Sequence, residues 1–244
     1  AAREGEAARE VEVAEAMRLQ AAGTRDDALG PWSVVAEYRS AVRTTGAALS
    51  TTLLPDGRLA LLVTEAQAHG VPAALATAAL TGAFAAATST QAAITVGDLL
   101  AGLDVRADGV TRGGEPVAAF VAILDDNAVA WAAAGHPGAA LVGPVAGEGE
   151  LPAGSIRTSE QQRPSVTLLA GDGDTVARGE HPLRGDVMLV VTSTSLRHGD
   201  AESWRQTLAD QALAGTRLAN VLVEQAARVA TPAEDLLVVV VRRR

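Results

Sequence analysis

The chain has 244 residues, with 48% hydrophobic and only 2% aromatic residues, so it can form one large domain or two small ones with a core packed from Ala, Val and Leu. A net charge of −9 argues against nucleic acid as a partner, because phosphate binding needs a positive surface. The absence of cysteine excludes disulfides, cysteine nucleophiles and thiolate metal sites.

Residues 1–30 differ in composition from the rest of the chain. Strong helix formers run from about Arg3 to Ala22, and the stretch GTRDDALGP after them has turn composition. Four apolar residues share one face of this helix: Val11, Ala14, Met17 and Ala21. We interpret residues 1–30 as a linker or dimerisation helix, with a solvated helix packed on its own domain as the equal alternative. A homodimer through this helix is therefore plausible.

The N-terminal region also bears on location. It is charged and does not resemble a signal peptide, and no apolar run approaches the roughly 20 residues that a membrane span needs. We expect a cytoplasmic protein with no membrane partner.

From Trp32 onward, short strand-like runs alternate with turns and pairs of helices. The turn PDG at 55–57 joins two such runs, and Asp125 to Asn127 joins two more. Helices are predicted from Pro72 to about Ala87, over 88–109, and over about 201–214 and 217–230, and DLLVVVVRR closes the chain as a buried strand. Because hairpins dominate, we predict an α+β fold with antiparallel sheets covered by helices, in one domain over residues 31–244.

Motifs of the common enzyme classes are missing from the sequence. There is no phosphate-binding P-loop, HExxH, GxSxG or dinucleotide fingerprint in a strand-to-helix setting. Ser193 and Ser195 could act as nucleophiles only beside a base, and the sequence indicates none. His181 and His198 lie in polar stretches and are interpreted as surface residues. His69 and His136 stand beside glycine at strand-to-loop junctions, where holding a tight turn is the simpler role.

Six motifs, in order along the chain, resemble the SpoIIE/RsbU-type phosphatases, which belong to the PP2C-like serine/threonine phosphatases of bacteria. They are YRSA (38–41), LPDGRLALLV (54–63), HGVPAALA (69–76), AGHPGAALV (134–142), LRGDVMLVVTSTSL (183–196) and EDLLVVVVR (234–242). The resemblance implies an αββα sandwich of two antiparallel sheets between helical layers. It also implies hydrolysis of phosphoserine or phosphothreonine, in which two Mg²⁺ or Mn²⁺ ions held by carboxylates activate a water.

The chain departs from this family where the metal ligands are expected. TGA replaces the family's GGD and puts Ala47 at an acidic position, and STSL replaces TDGL and puts Thr194 at another. TEAQAHG replaces GDVSGHG, so aspartate becomes Glu65 in a site loop that includes Ala66, His69 and Gly70. Glu234 and Asp235 replace the closing DD. The resemblance therefore leaves three candidate metal ligands, Glu65, Glu234 and Asp235. Two of the family's four acidic positions are lost, and we assign no catalytic residue.

Two functions follow from this comparison. The first is a catalytically impaired regulatory module, a pseudophosphatase in bacterial partner-switching signalling and sigma-factor regulation, with no metal ion or one. The second is an active Mg- or Mn-dependent phosphatase that uses the remaining carboxylates with a single ion. The family implies a protein partner for both, such as an STAS-type anti-sigma-factor antagonist.

Overall fold

The computed structural model describes residues 25–39, 46–66, 70–90, 93–110, 117–135, 138–145, 164–170, 176–183, 187–193, 206, 208, 218–227 and 235–244. These residues form eleven strands and three helices. The strands are β1 (Arg25–Leu29), β2 (Trp32–Arg39), β3 (Ala47–Leu53), β4 (Leu59–Ala66), β5 (Val117–Leu124), β6 (Ala128–Ala134), β7 (Gly138–Val145), β8 (Pro164–Ala170), β9 (Ala177–Pro182), β10 (Met188–Thr192) and β11 (Leu236–Arg243). The helices are α1 (Val71–Thr90), α2 (Val96–Val110) and α3 (Leu218–Ala226).

The strands build two antiparallel sheets. The six-stranded sheet has the order β1-β2-β11-β10-β7-β8, and the five-stranded sheet has the order β3-β4-β5-β6-β9. Every pairing in both sheets is antiparallel. This confirms the predicted α+β class and the two antiparallel sheets.

The main core lies between the two sheets and follows from alternation along the strands. In β4 the residues Leu59, Leu61 and Val63 belong to this core, while Ala60 and Leu62 pack on the opposite face. Successive strand side chains point to opposite faces, so one sheet supplies two apolar surfaces. Helices α1 and α2 cover the outer face of the five-stranded sheet, and α3 covers the six-stranded sheet. The layers are therefore helix, sheet, sheet and helix.

Helix α1 is almost entirely apolar. The expectation that no apolar run approaches the length of a membrane span is therefore wrong for this helix. Among the described residues one helical segment, Val71–Ser89, is long and apolar enough to cross a membrane. Leu80 and Phe84 of this helix are nevertheless buried against the five-stranded sheet. A core helix of a globular protein passes the same test, so the finding does not indicate a membrane protein.

Two strands differ from the sequence-based assignment. Residues 25–29, assigned to a turn and to the 1–30 helical unit, form β1, which pairs with β2 from Arg25 opposite Ala36 to Leu29 opposite Trp32. The sandwich therefore extends back to Arg25, and residues 1–24 with the predicted helix lie outside the described part of the chain. Strand β9 was not predicted, and His181, assigned to a loop, lies in it opposite Val129. The sequence ARGEHP lacks an apolar alternation because β9 is an edge strand.

The helix boundaries also differ. Helix α1 continues to Thr90, and α2 begins at Val96 rather than at residue 88. Thr95 caps α2: its Oγ1 receives the N–H of Asp98 at 3.2 Å, while its own N–H and Oγ1 donate to Asp98 Oδ2 at 3.2 and 2.6 Å. This capping box fixes the start of α2. Helix α3 lies within the predicted helix at 217–230, and most of the helix predicted at 201–214 lies outside the described residues.

Candidate functional site

The site predicted from the sequence lies at one end of the sandwich, where β3 begins and β4 ends. Glu65 is the last residue but one of β4, and it stands directly opposite Ala47 of β3. On its other side it stands opposite Ala118 of β5. The carboxylate is thus flanked on both neighbouring strands by alanine methyl groups.

Glu65 faces the space between the two sheets. It follows Leu61 and Val63 at two-residue steps, and both of these residues belong to the inter-sheet core. Strand alternation therefore directs Glu65 to the same face. Its exposed fraction is 7%, and that of Ala47 is 0%. The carboxylate consequently lies at the buried rim of the core, where a polar group needs hydrogen-bonding or charged partners to be stable.

The six-stranded sheet contributes a second buried acid, Asp235, immediately before β11. Asp235 is 0% exposed and lies two residues before Leu237, which belongs to the inter-sheet core. Ser193, at the end of β10, is hydrogen-bonded to this segment: its Oγ donates to the carbonyl of Asp235 at 3.2 Å and accepts the N–H of Leu237 at 3.1 Å. The backbone N–H of Ser193 also donates to the carbonyl of Leu237 at 2.9 Å.

Glu65 and Asp235 lie at the same end of the sandwich, because a short connection links the two sheets there. Ala134 ends β6 and Gly138 begins β7, so the backbone crosses between them within about 14 Å. Ala134 lies on the strand that pairs with β5 beside Glu65, and Gly138 pairs with Thr192 of β10. We call this end of the sandwich the site end.

The backbone frame of the site end needs small residues. A Cβ on Gly46 would lie 2.9 Å from the Cβ of Ala66 and 3.0 Å from Thr77 Oγ1, so only glycine allows this approach of β3 to α1. Gly135 has φ of 76°, and a Cβ there would lie 2.9 Å from the Cβ of Ala118. Gly135 belongs to the motif AGHPGAALV that carries the family resemblance, and Gly46 is the glycine that TGA shares with the family's GGD.

The remaining predicted site residues divide between described and undescribed segments. Ala66 ends β4 and is buried, and Gly70 immediately precedes α1. His69, Thr194 and Glu234 lie outside the described residues, so their predicted roles stay predictions. Among the residues described, the structure brings Glu65, Ala47 and Asp235 to one end of the fold.

The described residues do not fit a two-ion centre. No group of three or more His, Asp or Glu side chains that could hold a metal ion occurs in the described part of the chain. The side chain of Ala47, which stands opposite Glu65, has no oxygen with which to share an ion. Mg²⁺ and Mn²⁺ prefer carboxylate and water oxygens, and a pair of such ions needs several carboxylates close together.

Two polar contacts of the site end were missed at the level of sequence. Thr77, within α1, donates its hydroxyl hydrogen to the carbonyl of Gly46 at 2.8 Å. Ser193 was considered only as a nucleophile, whereas its hydroxyl is used in backbone hydrogen bonds. Thr77 is one of four threonines in this alanine-rich helix, and neither its selection nor its partner could be identified without the fold.

A separate groove lies on the outer face of the five-stranded sheet. It has a volume of about 280 Å³ and includes Ala119, Ala132 and α2, with Asp104 and Arg178 among its lining residues. Ala119 neighbours Ala118 in β5, so the groove is on the face opposite Glu65. No described residue of the predicted site lines this groove.

Comparisons with known proteins agree with the fold. The sequence model of Stage II sporulation protein E (SpoIIE) matches residues 55–244. A search of curated protein sequences finds no significant match.

Three solved structures are similar in fold. The RsbU and RsbW domains of Rv1364c from Mycobacterium tuberculosis align with a TM-score of 0.67 at 22% identity, over 87% of this chain and 60% of that chain. RsbX in complex with magnesium aligns with a TM-score of 0.58 at 12% identity, over 90% and 99%. The SiaA PP2C domain of Pseudomonas aeruginosa aligns with a TM-score of 0.63 at 18% identity, over 86% and 84%.

These identities are low, so the structural matches establish the fold, and this chain spans less than two thirds of the Rv1364c chain. The family match covers most of the sequence and includes β4, α1, β10 and β11 at the site end, and it begins after β3 and Ala47. The chain therefore belongs to the SpoIIE family of PP2C-like phosphatase domains.

Proposed function

We propose that this SpoIIE-family domain is a catalytically impaired regulatory module, a pseudophosphatase that binds a protein partner in bacterial partner-switching signalling. The observation that carries the proposal is the position of Ala47, buried and directly opposite Glu65. The family resemblance puts an acidic metal ligand at this position, and the side chain of alanine has no atom that can ligate a metal ion.

The loss of a ligand here weakens metal binding for a simple electrostatic reason. In the family's chemistry a pair of Mg²⁺ or Mn²⁺ ions activates a water and neutralises phosphoryl oxygens. Those ions are strongly hydrated, and closely spaced negative charges supply the attraction that offsets their dehydration. Ala47 removes one such charge beside Glu65, and Thr194 removes another in the family alignment. What remains suits a protein-binding surface better than a hydrolytic centre.

The proposed partner is an STAS-domain phosphoprotein, which would connect the domain to sigma-factor regulation. One structural relative was solved as RsbU and RsbW domains together, and another belongs to work on the bacterial stressosome, so protein partners are in keeping with this family. The net charge of −9 makes nucleic acid an unfavourable partner. A cytoplasmic location and a homodimer through the predicted N-terminal helix are parts of the same proposal.

Metal titration with an activity assay tests the proposal. The protein is titrated with Mn²⁺ and Mg²⁺ in a calorimeter, and phosphate release from a phosphoserine peptide is measured in parallel. We expect no binding up to millimolar metal and no release by the wild type or by Glu65→Gln. Binding of a purified STAS-domain protein, in phosphorylated and unphosphorylated forms, is expected to survive Glu65→Gln. Saturable metal binding with turnover would overturn the proposal.

A second function has one observation in its favour. Glu65 and Asp235 are both buried at the site end, and Mg²⁺ can be held by one or two carboxylates plus waters. The alternative is thus an active phosphatase that works with a single ion. It predicts metal-dependent phosphate release that Glu65→Gln abolishes. Asp125→Asn supplies the control. Asp125 lies in an exposed turn at the other end of the sandwich, so removal of its carboxylate should leave activity unchanged.

A further inference from the structure

Among the buried hydroxyl groups at the site end, two tie its segments together beyond the strand pairing, one on each sheet. The first, which we call the Thr77 link, is the hydrogen bond from Thr77 Oγ1 to the carbonyl of Gly46. The second, the Ser193 link, consists of the bonds from Ser193 Oγ to the carbonyl of Asp235 and from the N–H of Leu237 to Ser193 Oγ. Thr77 is 2% exposed and Ser193 is 1% exposed, so water competes little with these bonds.

The Thr77 link holds α1 on the first residues of the five-stranded sheet. The carbonyl of Gly46 also accepts the N–H of Ala66 at 3.2 Å, so β3, β4 and α1 meet at a single acceptor. Ala66 and Ala73 pack beside it in a small apolar cluster. These contacts join three elements directly, without a bridging group.

The Ser193 link does the same on the six-stranded sheet. The ladder between β10 and β11 ends at Thr192 opposite Val238, and Ser193 extends the connection to Leu237 and Asp235. This fixes the backbone at Asp235, directly after the undescribed position Glu234.

Within the described part of the chain, the buried carboxylates of the site end are Glu65 and Asp235. Opposed residues of an antiparallel pair have Cβ atoms about 4.5–5.5 Å apart, and like charges there destabilise the sheet. An aspartate at position 47 would stand in that relation to Glu65 and would favour a cation between the two carboxylates. Alanine at 47 removes this need.

We infer that the site end is assembled by these direct links and by alanine packing, so that its folded form does not depend on a divalent ion. This rests on the proposed function and deepens it, because it makes the binding surface independent of cellular Mg²⁺ and Mn²⁺. In this chain, direct hydrogen bonds and alanine packing thus hold together the segments that surround the metal centre in the family.

Thermal unfolding of the wild type, with a chelator and with millimolar Mg²⁺ or Mn²⁺, is the first test. We expect the same Tm in all three conditions. An ion that binds the folded chain would raise Tm by mass action, so a saturable rise of several degrees would overturn the inference.

The two links are tested by Thr77→Val and Ser193→Ala. Each should lower Tm by about 2–6 °C, because a buried backbone group loses a partner, and the loss should be equal with chelator and with metal. The matched control is Thr88→Val on the same helix: the buried Thr88 hydroxyl bonds to the carbonyl of Phe84 within α1 and joins no second element. A change no larger than that of the control, or a loss that metal restores, would contradict the inference.

A third test introduces a carboxylate opposite Glu65 by Ala47→Asp, with Ala47→Asn as the uncharged control. The charge argument predicts that Ala47→Asp makes the stability of the fold depend on metal. In chelator both variants should melt below the wild type, and Mn²⁺ should raise the Tm of Ala47→Asp while leaving that of Ala47→Asn unchanged. A response of neither variant, or of both, would contradict the charge argument. If Ala47→Asp does not fold, the inference is still tested by the Tm of the wild type with chelator and with metal, and by Thr77→Val and Ser193→Ala.

The outcomes separate this inference from the proposed function. Phosphate release by the wild type would refute the proposed function. A metal-dependent Tm without phosphate release would refute the inference alone. A metal-independent Tm without partner binding would refute the binding function and leave the inference standing.

Discussion

The two ends of the sandwich are built in different ways. The end opposite the site carries the hairpin turns at 54–58 and 125–127 and the start of α2, and the side-chain hydrogen bonds described in these segments join residues two or three apart in sequence. Asp56 Oδ2 accepts the Nε–H of Arg58 at 2.7 Å, and Asp125 Oδ1 accepts the N–H groups of Asn127 and Ala128 at 2.7 and 2.8 Å. We call it the turn end. Its charged side chains are exposed.

The site end is built from residues distant in sequence. Glu65 stands between Ala47 and Ala118, Thr77 bonds to Gly46, and Ser193 bonds to Asp235. Its side chains are small and buried, so a change there affects packing as well as a single bond. The comparison teaches that the turn end tolerates change and the site end does not, and four predictions test this.

The largest effect is expected from a glycine at each end. Gly135→Ala should destabilise the fold by about 3 kcal/mol, because alanine at positive φ is strained and its Cβ would lie 2.9 Å from that of Ala118. Gly57→Ala is the matched control: its φ is 86° but no atom lies within 4 Å of the added Cβ, so we expect a loss of about 1 kcal/mol. Denaturant unfolding measures both. Equal losses would show that crowding at the site end is unimportant.

The second prediction concerns the turn at Asp125. Asp125→Ala should cost about 1 kcal/mol, since two backbone N–H groups lose their acceptor. Asp125→Asn keeps an oxygen at the same place and should lose less than half of that in the same unfolding measurement. If the asparagine variant is as unstable as the alanine variant, the charge rather than the acceptor supports the turn.

Sequence reasoning was successful for the turn end and for the sheets, and the reasons are physical. The turn PDG and the run Asp125 to Asn127 predict hairpins, because glycine adopts the backbone conformations of turns and aspartate side chains hydrogen-bond to nearby backbone N–H groups. The apolar runs of β4 and β11 predict buried strands. Strand β9 escaped because an edge strand with Arg178 and Glu180 on its exposed face has no apolar period.

The site end was predictable only in part. Motif similarity brought Ala47, Glu65 and Asp235 together before their register was known, and the fold puts the first two directly opposite each other. The Thr77 and Ser193 links were not predictable, because their partners are backbone carbonyl and N–H groups on other elements. Sequence patterns report side chains, and they do not reveal which carbonyl group a hydroxyl will reach.

The third prediction is a pH dependence at the start of α2. Hydrogen bonds from Thr95 hold the pKa of Asp98 below its ordinary value of 3.8. A carboxyl with a lowered pKa in the folded state stabilises the fold above its unfolded pKa, and this contribution is lost as the pH falls through the folded pKa. Asp98→Asn should therefore melt slightly below the wild type at neutral pH. The difference should begin to shrink as the pH falls to about 3.8, and it should vanish only below the lowered pKa of the folded state, where the native carboxyl is protonated. A difference that is constant with pH would mean that the charge of Asp98 is irrelevant to the cap.

The smallest effect is expected for the ion pair between Arg243 and Asp126, which joins the end of β11 to the β5–β6 turn. The Nη2 of Arg243 lies 3.0 Å from Asp126 Oδ1, and the two side chains are 51% and 62% exposed. An exposed pair of this kind contributes about 0.2–1 kcal/mol and is screened by salt. Asp126→Asn should lower stability within that range in dilute buffer and by less in molar salt. A larger loss that salt does not reduce would mean that the turn end depends on this contact, and the contrast between a tolerant turn end and a sensitive site end would fail.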